Sequence, residues 1–195
     1  GAAAGAGIGA LIGGGKGAAI GSAIGAAVGA GAGTLIGNRM DKQQKELQKE
    51  LANQAKVEET TDANGLRAIK VTFDGGILFA TNKADLSSQA KTDLSNFARN
   101  IIGNPDTNVQ IYGFTDNTGS MAVNQRVADE RAASVLSYLA NCGVPYTRLS
   151  SQGIPMADYV ASNDTPAGRA QNRRVEIYIT ADQNMIRQAE AGTLK

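Results

Sequence analysis

Residues 111–139 read IYGFTDNTGSMAVNQRVADERAASVLSYL, and this stretch decides the fold. Val109 to Phe114 form a short apolar and aromatic run, Thr115-Asp116-Asn117-Thr118-Gly119 a polar turn, and Met121 to Asn141 a helix whose apolar face holds Ala128, Val135 and Leu139. Strand, turn and helix therefore follow one another. Upstream, Ala90, Leu94, Phe97, Ala98, Ile101 and Ile102 mark one face of another helix, starting at the Ser87-Ser88 cap and stopping at Gly103-Asn104-Pro105. Further back, Asn64-Gly65 is a strong hairpin signal, and Ile69, Val71 and Phe73 alternate after it, so residues 57–73 read as two strands. Downstream, Arg148 to Gln152 and Arg174 to Thr180 supply two more strands, the last alternating Val175, Ile177 and Ile179. The fold class that results is α/β: a two-layer sandwich of a mixed β-sheet and helices.

Composition narrows the function. The 195 residues carry 19 Lys+Arg against 18 Asp+Glu, so the concentrated basic face of a nucleic-acid binder is missing and nucleic acid is set aside as a partner. There is no His, which removes the common triads and dyads and most zinc sites. The single Cys excludes an intramolecular disulfide and a thiolate metal cluster. No cofactor, metal or catalytic residue is expected. An enzyme would have to work with carboxylates such as Asp116 with Asp129 or Glu130, and the latter two sit beside Arg131 on a helix without a convergent partner loop.

The chain changes character near residue 38. Of 24 Gly, 14 fall in residues 1–38, and Lys16 is the only charge there. Glycine occupies positions 1, 5, 9, 13, 17, 21, 25, 29, 33 and 37, which is GxxxG repeated end to end, with Ile8, Ile12, Ile20, Ile24, Val28 and Ile36 between. Each helical Gly costs about 1 kcal/mol relative to Ala, so such a helix needs close backbone packing or a non-aqueous solvent. Residues 18–37 are twenty uncharged positions, about 30 Å as a helix and enough to cross a hydrocarbon layer. The run Gly13-Gly14-Gly15-Lys16-Gly17 is the expected reversal point of a glycine-zipper transmembrane helical hairpin. Membrane lipid and further copies of the chain, packed through residues 1–38, are its expected partners.

Between Arg39 and Val57 strong helix formers predominate, and Met40, Leu47, Leu51 and Ala55 draw a thin apolar seam. A helical stalk over residues 39–58 is expected, either associating in parallel or serving as a solvated spacer. The globular domain then covers residues 59–182 and a C-terminal helical tail residues 183–195.

The blocks IYGFTDNTGS, NQRVADERAASVLSYL, GVPYTRLSSQG and GRAQNRRVEIYI, in this order, resemble the OmpA-like peptidoglycan-binding domain of Gram-negative envelopes, shared with Pal lipoproteins and flagellar MotB. The resemblance runs from about Phe73 to Thr180, and with the glycine stripe in front the chain is similar to lipoprotein-type members of that family. Where the family usually has Leu-Ser ahead of the helix arginine block, this chain has Val127-Ala128. The resemblance implies a noncovalent clamp on the diaminopimelate of the peptidoglycan stem peptide, at Asp116 and Arg131. The chemistry suits the ligand: its free end is a zwitterion, whose ammonium a carboxylate takes and whose carboxylate a guanidinium takes. Asn124 lies within about 20° of Arg131 on the helix, so both can face the Asp116 turn.

Thr115 and Asn117 flank the acid as hydrogen-bonding candidates, and Ala80 borders the groove in the resembled domains. Phe79 reads better as core, Asn172-Arg173-Arg174 as structural, and Cys142 as a small buried apolar residue. The implied protein sits at the cell outer membrane, holds its C-terminal domain in the periplasm and tethers membrane to wall. The alternative is a membrane oligomer or pore formed by the zipper and positioned by the wall-binding domain.

Overall fold

Asn64 and Gly65 close the expected hairpin. Gly65 has φ +75°, and the Asp62 carboxylate accepts the backbone N–H of both Asn64 and Leu66, fixing the turn from inside. In the computed structural model, which describes residues 28–80 and 83–195, the hairpin joins β1 (Lys56–Thr61) to β2 (Arg67–Asp74). There follow α2 (Gly75–Leu78), α3 (Ser88–Gly103), β3 (Thr107–Phe114), α4 (Met121–Asn141), β4 (Leu149–Ile154), α5 (Pro166–Asn172), β5 (Arg174–Ala181) and α6 (Gln183–Glu190); α1 (Ala30–Leu51) precedes them. The strand order is β1-β2-β5-β3-β4, antiparallel except for the parallel β3–β4 pair. That parallel pair is joined by α4, as a crossover requires.

Strand β5 sits at the centre and is buried along its whole length. Its Ile179 stands between Ile69 of β2 and Val109 of β3, and its Ile177 between Val71 and Ile111. These residues join the helices' apolar stripes in one core, while Tyr112, Phe114 and Tyr178, at the alternate positions, cluster on the other face. The expected two-layer arrangement with a mixed sheet is thus present.

Helix α4 lies unusually close to the sheet, and two glycines make room for it. A Cβ on Gly113 would stand 2.5 Å from the Ala128 carbonyl oxygen, and one on Gly153 would stand 2.5 Å from the Asp129 nitrogen. The small Ala128 is fully buried at this contact. Asp129 completes it by accepting the Gly153 N–H at 2.9 Å.

The N-terminal part of the described chain differs from expectation. Helix α1 runs through position 38 without a break, and its Ile36, Met40, Leu47 and Leu51 are buried in the domain core. It packs against β1, β2, α3 and α6. The stalk is therefore a docked helix: its thin apolar seam faces the sheet edge and α3, and one seam position is the buried Gln43, hydrogen-bonded to Asn100 at 3.0 Å. Residues 30–37, expected in the membrane-spanning segment, are the first two turns of this helix, and Ala32 and Ile36 belong to the core. Among the described residues no helix is long and apolar enough to cross a membrane. The expected reversal at residues 13–17 and the rest of the hairpin lie outside the described residues. At the other end, α6 docks on α1 through the buried Met185, Ile186 and Ala189.

Candidate functional site

Three connections converge at one end of the sheet. Asp74, at the end of β2, caps α2 by accepting the Gly76 N–H at 2.7 Å. The α2 backbone is then held to the start of β5, because the Gly75 N–H donates to the Arg173 carbonyl at 2.9 Å. A Cβ on Gly75 would meet that carbonyl at 2.4 Å, so this approach needs glycine. The β3–α4 turn supplies the second wall and α5 the third. Thr165 caps α5, whose Pro166 sits in the first turn, and Gly168 packs against the Ser162 carbonyl.

Between them lies a groove of about 470 Å³ lined by, among others, Phe79, Ala80, Thr115, Asp116, Asn124, Val127, Arg131, Arg169 and Arg173. A second recess, of about 560 Å³ between α1 and α3, is lined by polar and charged side chains such as Arg39, Lys42 and Asn96, and holds none of the expected site residues.

Asp116 is 6 % exposed and both its oxygens are engaged. One accepts the Thr118 N–H at 2.8 Å, and the other pairs with the Arg173 guanidinium at 2.5 Å. Burial pushes its pKa up, but the Thr118 and Arg173 hydrogen bonds outweigh this and hold the carboxyl below its usual value. Arg131 is 8 % exposed, donates its Nε–H to the Lys83 carbonyl at 3.1 Å, and lays its guanidinium 5.1 Å from the centre of the Phe79 ring. Its two terminal nitrogens have no hydrogen-bond partner among the described residues. Burial lowers the Arg131 pKa, the Arg173 cation lowers it further, and Asp116 opposes both. The group nonetheless stays cationic at neutral pH.

The other expected residues divide. Thr115 lines the groove and braces it: its hydroxyl accepts the Met156 N–H at 2.9 Å and donates to the Asp116 carbonyl. Asn124 is buried at the start of α4 and donates to the Thr118 and Ser120 carbonyls, tying helix to loop while lining the groove. Ala80 is an exposed part of the wall. Asn117 is exposed and does not line the groove. Asp129 bonds β4 and Gln125, and neither it nor Glu130 lines the groove, so the acids named for an enzyme do not converge with Asp116.

Sequence reasoning assigned Asn172, Arg173 and Arg174 to structure as a run, and the three differ. Asn172 is fully buried and stitches the 160–163 loop through four hydrogen bonds. Arg174 stacks 3.9 Å from the Phe114 ring and pairs with Glu176 on the opposite face. Arg173 enters the groove and meets Asp116. Phe79, read as core, is buried and is also the platform for Arg131. Cys142 follows α4, half-buried, its Sγ 3.9 Å from the Ser95 hydroxyl.

Comparison with known proteins places these features. A model of the OmpA family matches residues 78–173, and a glycine-zipper model matches residues 1–44. The outer-membrane lipoprotein YfiB of Pseudomonas aeruginosa is 34% identical over 106 residues, which is 54% of this chain and 63% of that protein. The peptidoglycan-binding protein ArfA of Mycobacterium tuberculosis is 38% identical over 112 residues, 57% of this chain and 34% of that protein. The chain thus spans between about a third and just under two thirds of these relatives' own length. Among solved structures, the cell wall anchor of the T6SS from Pseudomonas aeruginosa superposes with a TM-score of 0.60 at 26% identity, covering 70% of this chain and 97% of that one. Over residues 78–173 the chain is thus similar to the OmpA family, with a sequence similar to the glycine-zipper family in front.

Proposed function

We propose that the groove binds peptidoglycan noncovalently, taking the free zwitterionic end of the stem-peptide diaminopimelate between Asp116 and Arg131. The observation that carries this reading is the pair of buried opposite charges on one groove, with the terminal nitrogens of Arg131 uncommitted among the described residues. Asp116, kept ionised, takes the ligand ammonium; the planar Arg131 fork, backed by Phe79, takes the carboxylate. Thr115 and Asn124 hold the two walls in register. Relatives described as a peptidoglycan-binding protein and as a cell wall anchor support the assignment.

The domain works as a tether that holds the wall without cutting it. Hydrolysis by carboxylates needs one that keeps its proton near neutral pH, and Asp116 is shifted the opposite way. The relative named as an outer-membrane lipoprotein supports an outer-membrane location, with this domain in the periplasm, and the zipper residues ahead of α1, 1–29, are read as the side that meets lipid or further copies.

The test is co-sedimentation of the full chain with purified sacculi. Asp116→Asn and Arg131→Ala should each weaken binding by roughly thirtyfold or more, since losing one partner of a desolvated charge pair costs about 2 to 5 kcal/mol. Circular dichroism of both variants should match the parent. Folded variants that sediment like the parent at the same ionic strength would overturn the assignment.

A further inference from the structure

Arg173 holds the Asp116 oxygen that, on the reading above, takes the ligand ammonium. Its guanidinium holds Asp116 at 2.5 Å, its side chain is 42% exposed against 8% for Asp116, and it lines the same groove as Arg131. In the free protein the acid is therefore already satisfied, by Thr118 on one oxygen and by Arg173 on the other. The groove also carries three arginines, 131, 169 and 173, against two acids, Asp74 and Asp116. Arg169 is partly committed to the Asn163 carbonyl and Asp74 to the α2 cap, which leaves Arg131 and Arg173 as two cations served by one carboxylate.

We propose that the Asp116–Arg173 pair is an exchangeable latch that makes binding conditional on a ligand bearing both an ammonium and a carboxylate, so that Arg173 determines specificity. This rests on the peptidoglycan reading above and concerns how the same groove selects its ligand. A ligand that brings only an ammonium displaces Arg173 from Asp116 and leaves two arginine cations facing each other without an anion. One that brings only a carboxylate meets Arg131 alone, because drawing Arg173 away would leave Asp116 buried without its counter-charge, a costly state for a nearly inaccessible carboxylate. A zwitterion exchanges one internal ion pair for two external ones: the ammonium replaces Arg173 on Asp116, and the carboxylate lies between Arg131 and the released Arg173. The geometry permits the exchange. The backbone of Arg173 is fixed at both ends, its N–H on Arg169 and its carbonyl on Gly75, while its side chain is far more exposed than that of Asp116. Moving the guanidinium therefore disturbs no secondary structure.

The latch predicts a change in selectivity as well as in affinity. The probes are two soluble stem tripeptides with amidated C-termini, one ending in meso-diaminopimelate, whose side-chain end carries an ammonium and a carboxylate, and one in lysine, whose side-chain end offers the ammonium alone. Each is titrated calorimetrically into the full chain and its Arg173→Gln variant, whose fold is checked by circular dichroism. The parent should prefer the diaminopimelate peptide by roughly thirtyfold or more, the ratio expected when a desolvated charge loses its partner. In the variant, Asp116 is free beforehand and the second guanidinium is gone. Binding of the lysine peptide should strengthen, binding of the diaminopimelate peptide should weaken, and the preference should fall below about fivefold. Arg173→Lys, which keeps the charge without the planar fork, should fall between. If Arg173→Gln retains the parental preference, Arg173 is only a brace and the latch is refuted while the peptidoglycan reading stands. If the parent binds neither peptide, the peptidoglycan reading fails and the latch fails with it.

Discussion

Replacing Leu47 by Ala tests whether helix α1 belongs to the folded domain. Leu47 is 0% exposed and lies in the main core cluster with Ile36, Met40 and Leu51 of the same helix. The substitution removes three carbons. At about 0.8 kcal/mol per buried methylene the transfer term is roughly 2.4 kcal/mol, and incomplete collapse around the vacated volume brings the expected loss to about 3 kcal/mol. For a chain of this size that lowers the midpoint of thermal unfolding by about 6 to 12 °C. Lys45→Ala, on the exposed side of the same helix, is the control and should change stability by no more than about 0.5 kcal/mol. Urea unfolding of the full chain, followed by far-ultraviolet circular dichroism, reads both. A solvated stalk would unfold independently of the sheet, so equal, near-zero effects for Leu47→Ala and Lys45→Ala would refute the docking of α1. Cutting the chain at residues 59 and 182 would remove the whole of α1 and α6 and uncover the core they bury.

Two further predictions concern the groove. The Asp116 carboxyl is held below its unfolded value, so it contributes stability that is present above the unfolded pKa near 3.8 and is lost as pH falls through the lower folded value. Acid unfolding curves of the parent and of Asp116→Asn should therefore diverge above about pH 4 and converge below it; parallel curves would remove the ion pair from the account. Gly153→Ala places a Cβ 2.5 Å from the Asp129 nitrogen and 2.8 Å from the Ala128 carbonyl carbon, so α4 has to move outward. A loss of about 1 to 3 kcal/mol in urea unfolding is expected, together with weaker sacculus binding because Arg131 rides on that helix; an unchanged variant would show that the close approach is not required.

The sheet and its two long helices were legible because their signals are local. Asn64-Gly65 announces the hairpin, Ser87 caps α3 by accepting the Ala90 N–H, and β5 shows its alternation in Val175, Ile177 and Ile179. The short helices α2 and α5 were not read. In α5 the signal was present, since Thr165-Pro166 is a cap followed by a first-turn proline, but seven residues hold too little periodicity to draw attention. Helix α1 was recognised and its environment misread. A thin apolar seam is what both a stalk and a docked helix display, and the buried Gln43 interrupts the pattern that would have widened it. In the site, Asp116 and Arg131 came from the family resemblance, and their burial on one groove was not predictable from spacing. The Asp116–Arg173 pair joins positions 57 residues apart, so only the antiparallel pairing of β3 with β5 brings them together.

The central claim is that the groove between α2, α4 and α5 is where the wall ligand sits, and mapping a bound ligand by nuclear magnetic resonance tests it most directly. The isotopically labelled full chain is titrated with a soluble muropeptide carrying free meso-diaminopimelate, and backbone amide shifts are followed. The account predicts that the amides of Ala80, Thr115, Asp116, Thr118, Asn124 and Arg173, together with the Nε–H of Arg131, move with a common saturation curve, while those around Arg39, Lys42 and Asn96 stay still. Saturable shifts confined to the α1–α3 recess, or none at all at ligand concentrations where sacculi are bound, would contradict it.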